Sequence, residues 1–231
     1  MGISVKRRTA SLILKCIVIL AAAIGTYLSA VGGSRGFMIG SKAFMYFTIQ
    51  SNILIALICA VGAVLLLRKT KVKDRWYTVK FVGTVSITLT GAVFTFVLAP
   101  TLGDFAWQIQ NILTHLVVPV AAIADFFVTG ICGSIPKKHV FFVEVPPLAY
   151  VLYAAVCYAA GWTFADGKTY PYFFLNWGSP AGAFGFSGEF PFIGCVWWIL
   201  IMGAAILGVG KIYLLILDRM KRKSNKAGDQ R

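Results

Sequence analysis

Six stretches of the chain, near residues 11–31, 43–67, 79–99, 107–130, 140–161 and 191–216, are apolar over about the 20 residues that a helix needs to cross a bilayer. With 58% of its 231 residues hydrophobic and 13% charged, the chain has too little polar surface to coat a soluble fold. The predicted fold class is therefore all-α, a polytopic membrane protein whose single domain, residues 1–231, is a bundle of six transmembrane helices. In such a domain every backbone N–H and C=O at membrane depth is bonded within a helix.

The net charge of +14 would suit a nucleic-acid binder, but the placement of the charges argues for lipid. One side of the bundle collects Lys6, Arg7, Arg8, Arg68, Lys69, Lys71, Lys73, Arg75, Lys80, Lys137, Lys138, Arg219, Lys221, Arg222, Lys223, Lys226 and Arg231. These 17 basic residues face only three, Arg35, Lys42 and Lys168, on the other side. Lys15 and Lys211 lie near helix ends and are expected to snorkel to the first side. By the positive-inside rule both termini are cytoplasmic. The expected partners are membrane lipids, with no nucleic acid. The expected location is a multi-pass position in a membrane, the cell membrane if the chain is bacterial.

Lys6, Arg7 and Arg8 before an apolar run resemble a signal peptide, but the run to about residue 31 exceeds the roughly 7–15 residues of a signal core. It reads as an uncleaved first helix. The tail 224–231 is polar and predicted to be disordered. Cys16, Cys59, Cys132, Cys157 and Cys195 show no paired spacing, so neither a disulfide framework nor a metal site is expected, and no motif calls for a cofactor.

The one long connection, 162–190, lies on the outer side and is rich in aromatic residues, among them Trp162, Phe164, Tyr170, Tyr172, Phe173, Phe174, Trp177 and Phe190. Two readings stand together. It is an interfacial aromatic belt, or a lid over an outward-opening cavity.

His115 sits inside the fourth apolar segment. A charged side chain at such depth costs roughly 2.5–3.5 kcal/mol on insertion scales, and a neutral imidazole less, so it faces a partner or a cavity. Thr48, Ser51 and Asn52 lie at i, i+3 and i+4 on one face of the second helix, and Gln108, Asn111 and His115 share a face of the fourth. At 1.5 Å per residue Thr48 lies about 8 Å and His115 about 12 Å below the outer boundary, within one turn of each other. A histidine within reach activates a threonine hydroxyl, and Ser51, Asn52 or Asn111 are candidates for binding substrate or a developing oxyanion. The bland alternative has Thr48 bonded back to the Phe44 carbonyl and His115 holding helices together. The pairing requires hydrogen-bond or one-water distance, and it fails if the two side chains point into lipid or into different cavities.

Phe47-Thr48 opening the second helix, and His115 followed by Pro119 and Asp125, resemble the androgen-induced family of intramembrane threonine hydrolases. The outer stretch Gly167-Lys168-Thr169-Tyr170-Pro171-Tyr172-Phe173-Phe174-Leu175 is similar to that family's Gly-x-Trp-x-Tyr-Pro-Phe-Leu stretch. Trp107 and Asn111 have family-like counterparts as well. Pro119 follows His115 by four residues where the animal enzymes use five, and Asp125 stands where they carry glutamate. The resemblance implies a six-helix enzyme that cleaves fatty acid esters of hydroxy fatty acids, with Thr48 as nucleophile and His115 as base. The runner-up is a transporter or channel for a small polar or lipid molecule using the same polar stripes. Asp125, about 15 Å along the helix from His115, is too far to orient the imidazole. It is expected to form a structural ion pair, with Glu144, Lys137 or Lys138 nearby, or to mark a proton path.

Overall fold

The computed structural model describes residues 3–32, 40–130 and 132–229; Arg35 and Arg231 lie outside them. Six helices are long and apolar enough to cross a membrane: α1 (Val5–Gly32), α2 (Phe47–Leu67), α3 (Asp74–Trp107), α4 (Ile109–Gly130), α5 (Lys137–Ala159) and α6 (Cys195–Asp229). No β-strand forms among the described residues.

Several boundaries shift for local reasons. A 3₁₀ turn, Gly40–Met45, leads into α2, and Tyr46 is extended at φ −93° and ψ 140°, so the helix opens at Phe47 and not near 43. α5 begins with a 3₁₀ stretch, Lys137–Glu144, and becomes α-helical at Val145, where Pro146 and Pro147 occupy first-turn positions that need no amide donor. α6 continues to Asp229, through most of the tail expected to be disordered. Its Lys- and Arg-rich sequence carries good helix formers that prolong the preceding span.

α1 packs against α2 and α4, while α3 packs against α2, α4 and α6. The 3₁₀ start of α5 rests on α6 and α3. Polarity is arranged inside out. Thr48, Ser51, Asn52, Thr84, Ser86, Thr90, Thr114, His115 and Asp125 are buried, while Leu20, Leu57, Phe96 and Leu152 are exposed. Such a surface suits an apolar surrounding and makes the chain compatible with an integral multi-pass membrane protein.

The connection after α5 divides in two. Phe164, Ala165, Tyr172, Phe174 and Leu175 are buried against the start of α2, while Trp162, Phe184, Phe186 and Phe190 stay exposed. Lys42 Nζ donates to the Phe164 carbonyl at 2.9 Å, and the Ala165 amide donates to the Tyr46 hydroxyl at 3.1 Å. The inner half thus caps the bundle over Thr48, and the outer half presents aromatic rings outward.

Candidate functional site

α3 and α4 each contain one π-helical turn, Phe94–Leu98 and Leu113–Val117. Pro100 follows the first and Pro119 the second, each two residues after the turn ends. A proline cannot donate to the carbonyl four residues back, which leaves the Phe96 and His115 carbonyls without that bond. The backbone widens there: Ala99 N–H reaches the Phe94 carbonyl, and Val118 N–H the Leu113 carbonyl. Gly91 lets α3 approach this turn of α4. A Cβ there would lie 2.8 Å from the His115 carbonyl oxygen and 3.1 Å from the Pro119 ring.

The two turns bring Phe94 and His115 face to face, with ring centroids 3.8 Å apart and planes at 20°. His115 is buried, and its edges are then set by hydrogen bonds. Nδ1 lies 3.1 Å from the Asn111 carbonyl and 3.0 Å from Thr114 Oγ1. Thr114 spends its own proton on the Gln110 carbonyl at 2.8 Å, so its oxygen is an acceptor toward the imidazole. Both neighbours of Nδ1 accept, which assigns the proton to Nδ1 and leaves Nε2 as a bare acceptor.

Thr48 Oγ1 lies 3.3 Å from that Nε2. The alternative bond to the Phe44 carbonyl is not made by Thr48; Gln50 Nε2 donates there at 3.1 Å. Thr48 is the second residue of α2, where backbone amides have no partner within the helix. Its N–H instead donates to the Tyr172 hydroxyl at 3.4 Å, and that hydroxyl also lies 3.4 Å from Thr48 Oγ1. Burial holds the Tyr172 phenol above its ordinary pKa of 10.0, so it keeps its proton near neutrality. The directions chain together: Thr48 N–H to Tyr172 oxygen, Tyr172 O–H to Thr48 Oγ1, Thr48 O–H to His115 Nε2.

The other expected site residues have different posts. Ser51 Oγ donates to the Thr48 carbonyl at 3.0 Å and meets Thr90 Oγ1 on α3 at 2.7 Å. Asn52 Nδ2 donates to the carbonyls of Thr48 at 2.8 Å and Thr114 at 3.1 Å. Both amide hydrogens are thereby committed, and Asn52 ties α2 to α4. Asn111 Nδ2 donates to the Phe105 carbonyl at 3.2 Å. It serves the site through its backbone carbonyl, since the side chain turns to the end of α3. The residue missed as a direct partner is Tyr172, whose sequence signal was its place in an aromatic-rich loop. The tandem signal for the π turns was Pro100 and Pro119.

Two cavities meet at this point. One, of about 80 Å³, is apolar and runs between α2, α3, α5 and α6, lined by Thr48, Val93, Val151, Ile199 and Met202. The other, of about 480 Å³, is more polar and lies under the capping loop, lined by Gln110, Asn111, His115, Asp166 and Lys168. Phe94, Leu98 and Tyr172 line both. Thr48 and His115 thus do not share one cavity as expected of a dyad; their hydrogen bond crosses the partition.

Asp125 is fully buried far below, between Lys15 Nζ at 2.5 Å and Lys80 Nζ at 2.6 Å. Its partners are therefore neither Lys137 nor Lys138, and Lys15 does not snorkel. Glu144 lines the apolar cavity instead. Among the described residues no group of three or more His, Cys, Asp or Glu side chains is placed to hold a metal ion. Comparison with protein-family models, with curated proteins and with solved structures finds no match to this chain.

Proposed function

We propose that the chain is an intramembrane hydrolase of lipid esters, with Thr48 as nucleophile and His115 as general base, spanning the membrane six times with both termini in the cytoplasm. The observation that carries this reading is the 3.3 Å approach of Thr48 Oγ1 to a histidine nitrogen whose tautomer is fixed from behind. Thr48 and His115 line different cavities, against the expectation of one shared cavity, so the reading rests on the bond that joins them across the partition.

In this reading Thr48 Oγ1 attacks the ester carbonyl carbon while its proton passes to His115 Nε2. The developing oxyanion is met by the Thr48 amide at the N-terminus of α2 and by the Tyr172 hydroxyl, once substrate displaces their mutual hydrogen bond. His115 returns the proton to the leaving alkoxide, giving an alcohol and an acyl-threonine. A water deprotonated by His115 then attacks the acyl carbon, and the acid leaves as Thr48 regains its proton. The two cavities suit the two halves of a lipid ester, an alkyl chain on the apolar side and a polar portion, with water, on the other. A fatty acid ester of a hydroxy fatty acid, the substrate class implied by the resemblance, has this character.

A transport pathway is the second reading, favoured by a further cavity, lined by Arg8, Lys69 and Lys80, at the other end of the bundle. Against it stands a plug of Ile55, Ile58, Ile87, Val118 and Ala122, all buried between the levels of His115 and Asp125. The deciding experiment is hydrolysis of a long-chain acyl ester by the purified chain. Thr48→Ala and His115→Ala should each remove most activity, and about equally, since the pair acts as one unit. Thr48→Ser should keep part of it, retaining the hydroxyl without the methyl that restricts its rotamer. Full activity in Thr48→Ala would overturn the nucleophile.

A further inference from the structure

A third cavity, of about 660 Å³, opens at the end of the bundle that carries the N-terminus, between α1, the α2–α3 connection and α3. Arg8, Lys15, Lys69, Lys71 and Lys80 line it, and no acidic residue among the described ones does. Surface lysines at this end of a bundle would be ordinary, but two of these are not at the surface. Lys15 and Lys80 have side chains only 3% and 5% exposed, and they share the single carboxylate of Asp125. Their remaining contacts are neutral: Lys15 Nζ donates to Ser11 Oγ at 2.9 Å, and Lys80 Nζ to the Asp125 carbonyl at 2.9 Å and to Thr129 Oγ1. Gly62 makes room for the Lys15 stem, since a Cβ there would lie 2.8 Å from Lys15 Cε.

Two ammonium groups against one carboxylate leave one formal positive charge uncompensated at a buried position, which is costly unless an anion arrives. Arg8 supplies an independent sign. Its Nη2 donates to the Leu67 carbonyl at 3.2 Å, while its Nε is buried with no hydrogen-bond partner among the described residues. An orphan guanidinium N–H beside surplus ammonium charge matches a tetrahedral oxyanion, whose several oxygens accept from arginine and lysine together.

We infer that this cavity binds a phosphate group, carried on an anionic lipid headgroup or free in solution. The site lies at the opposite end of the bundle from Thr48 and His115, and the inference does not rest on the hydrolase reading. The phosphate would take the Arg8 Nε–H and compensate the Lys15–Lys80 surplus, with Lys69 and Lys71 at the rim adding long-range attraction. Val5, Leu65, Leu66 and Trp76 also line the cavity and provide an apolar flank for acyl chains if the source is lipid.

The test is the thermal unfolding of the purified full chain in an uncharged detergent, with inorganic phosphate, phosphatidylglycerol or phosphatidylcholine added. Saturating ligand should raise Tm by about 5 °C. A rise with inorganic phosphate assigns the free anion, and a rise with phosphatidylglycerol alone assigns the lipid headgroup. Arg8→Gln should lose at least half of the rise, whereas Lys168→Gln, at the other end, should keep it. If Arg8→Gln does not fold, the double variant Lys69→Gln/Lys71→Gln, whose side chains are exposed, serves in its place. No rise with either phosphate source, an equal rise with phosphatidylcholine, or an undiminished rise in whichever variant folds would overturn the inference.

Discussion

Phe94 and His115 stack at 3.8 Å, each within a π-helical turn that ends two residues before a proline. The imidazole is thus held by a backbone irregularity that Pro119 imposes. Pro119→Ala restores an amide able to bond the His115 carbonyl, and the turn is expected to relax toward α-helix. Thr48 and His115 would then lose alignment, and hydrolysis should fall about 10²-fold, the scale of an ångström-sized misplacement. Tm should hold or rise. Steady-state kinetics beside a melting curve checks both halves.

Tyr172→Phe removes one hydroxyl and leaves a ring that still stacks on Phe174 at 5.0 Å and meets Tyr46 edge-on at 5.8 Å. If that hydroxyl stabilises the oxyanion, kcat should drop about 10²–10³-fold with KM little changed. Burial keeps the phenol protonated past its ordinary 10.0, so Tyr172 should impose no fall in the wild-type rate between pH 7 and pH 10. A KM effect alone would make Tyr172 a binding residue.

Asp125→Asn leaves Lys15 and Lys80 buried without their carboxylate. Breaking a buried ion pair from one side costs about 3–5 kcal/mol, so the loss should appear in protein yield and Tm. The folded fraction should hydrolyse ester at close to the wild-type rate per molecule, because Asp125 lies roughly 15 Å along α4 from His115. Active-site titration separates the two effects.

The proposed orientation, with both termini cytoplasmic, rests on the distribution of basic residues. A cysteine at Glu189, exposed in the outer loop, and one at Lys226, exposed near the end of α6, should label from opposite faces of sealed vesicles. Labelling from one face contradicts six spans.

The helices were legible because apolar length is a local property. Thr48 and His115 do meet, at 3.3 Å, but the count that paired them started α2 near 43, and from its observed start at Phe47 the same count no longer matches their depths. Side-chain commitments were not legible. Whether Asn52 donates to a substrate or to the Thr114 carbonyl depends on the helix it packs against, and the Asn111 amide follows the turn that ends α3. Tyr172 reaches Thr48 only through the path of a loop with no periodicity to read. Lys15 is buried and does not snorkel, because Ser11 and Asp125 meet it inside the bundle, and sequence alone does not show that they do.

The central claim is that the Thr48 hydroxyl is activated by His115, and an active-site-directed fluorophosphonate probe tests it most directly. Mass spectrometry of the labelled wild-type chain should place the adduct on Thr48, and labelling should be lost in both Thr48→Ala and His115→Ala. An unlabelled wild-type chain, or a Thr48 adduct that forms equally fast in His115→Ala, would contradict it.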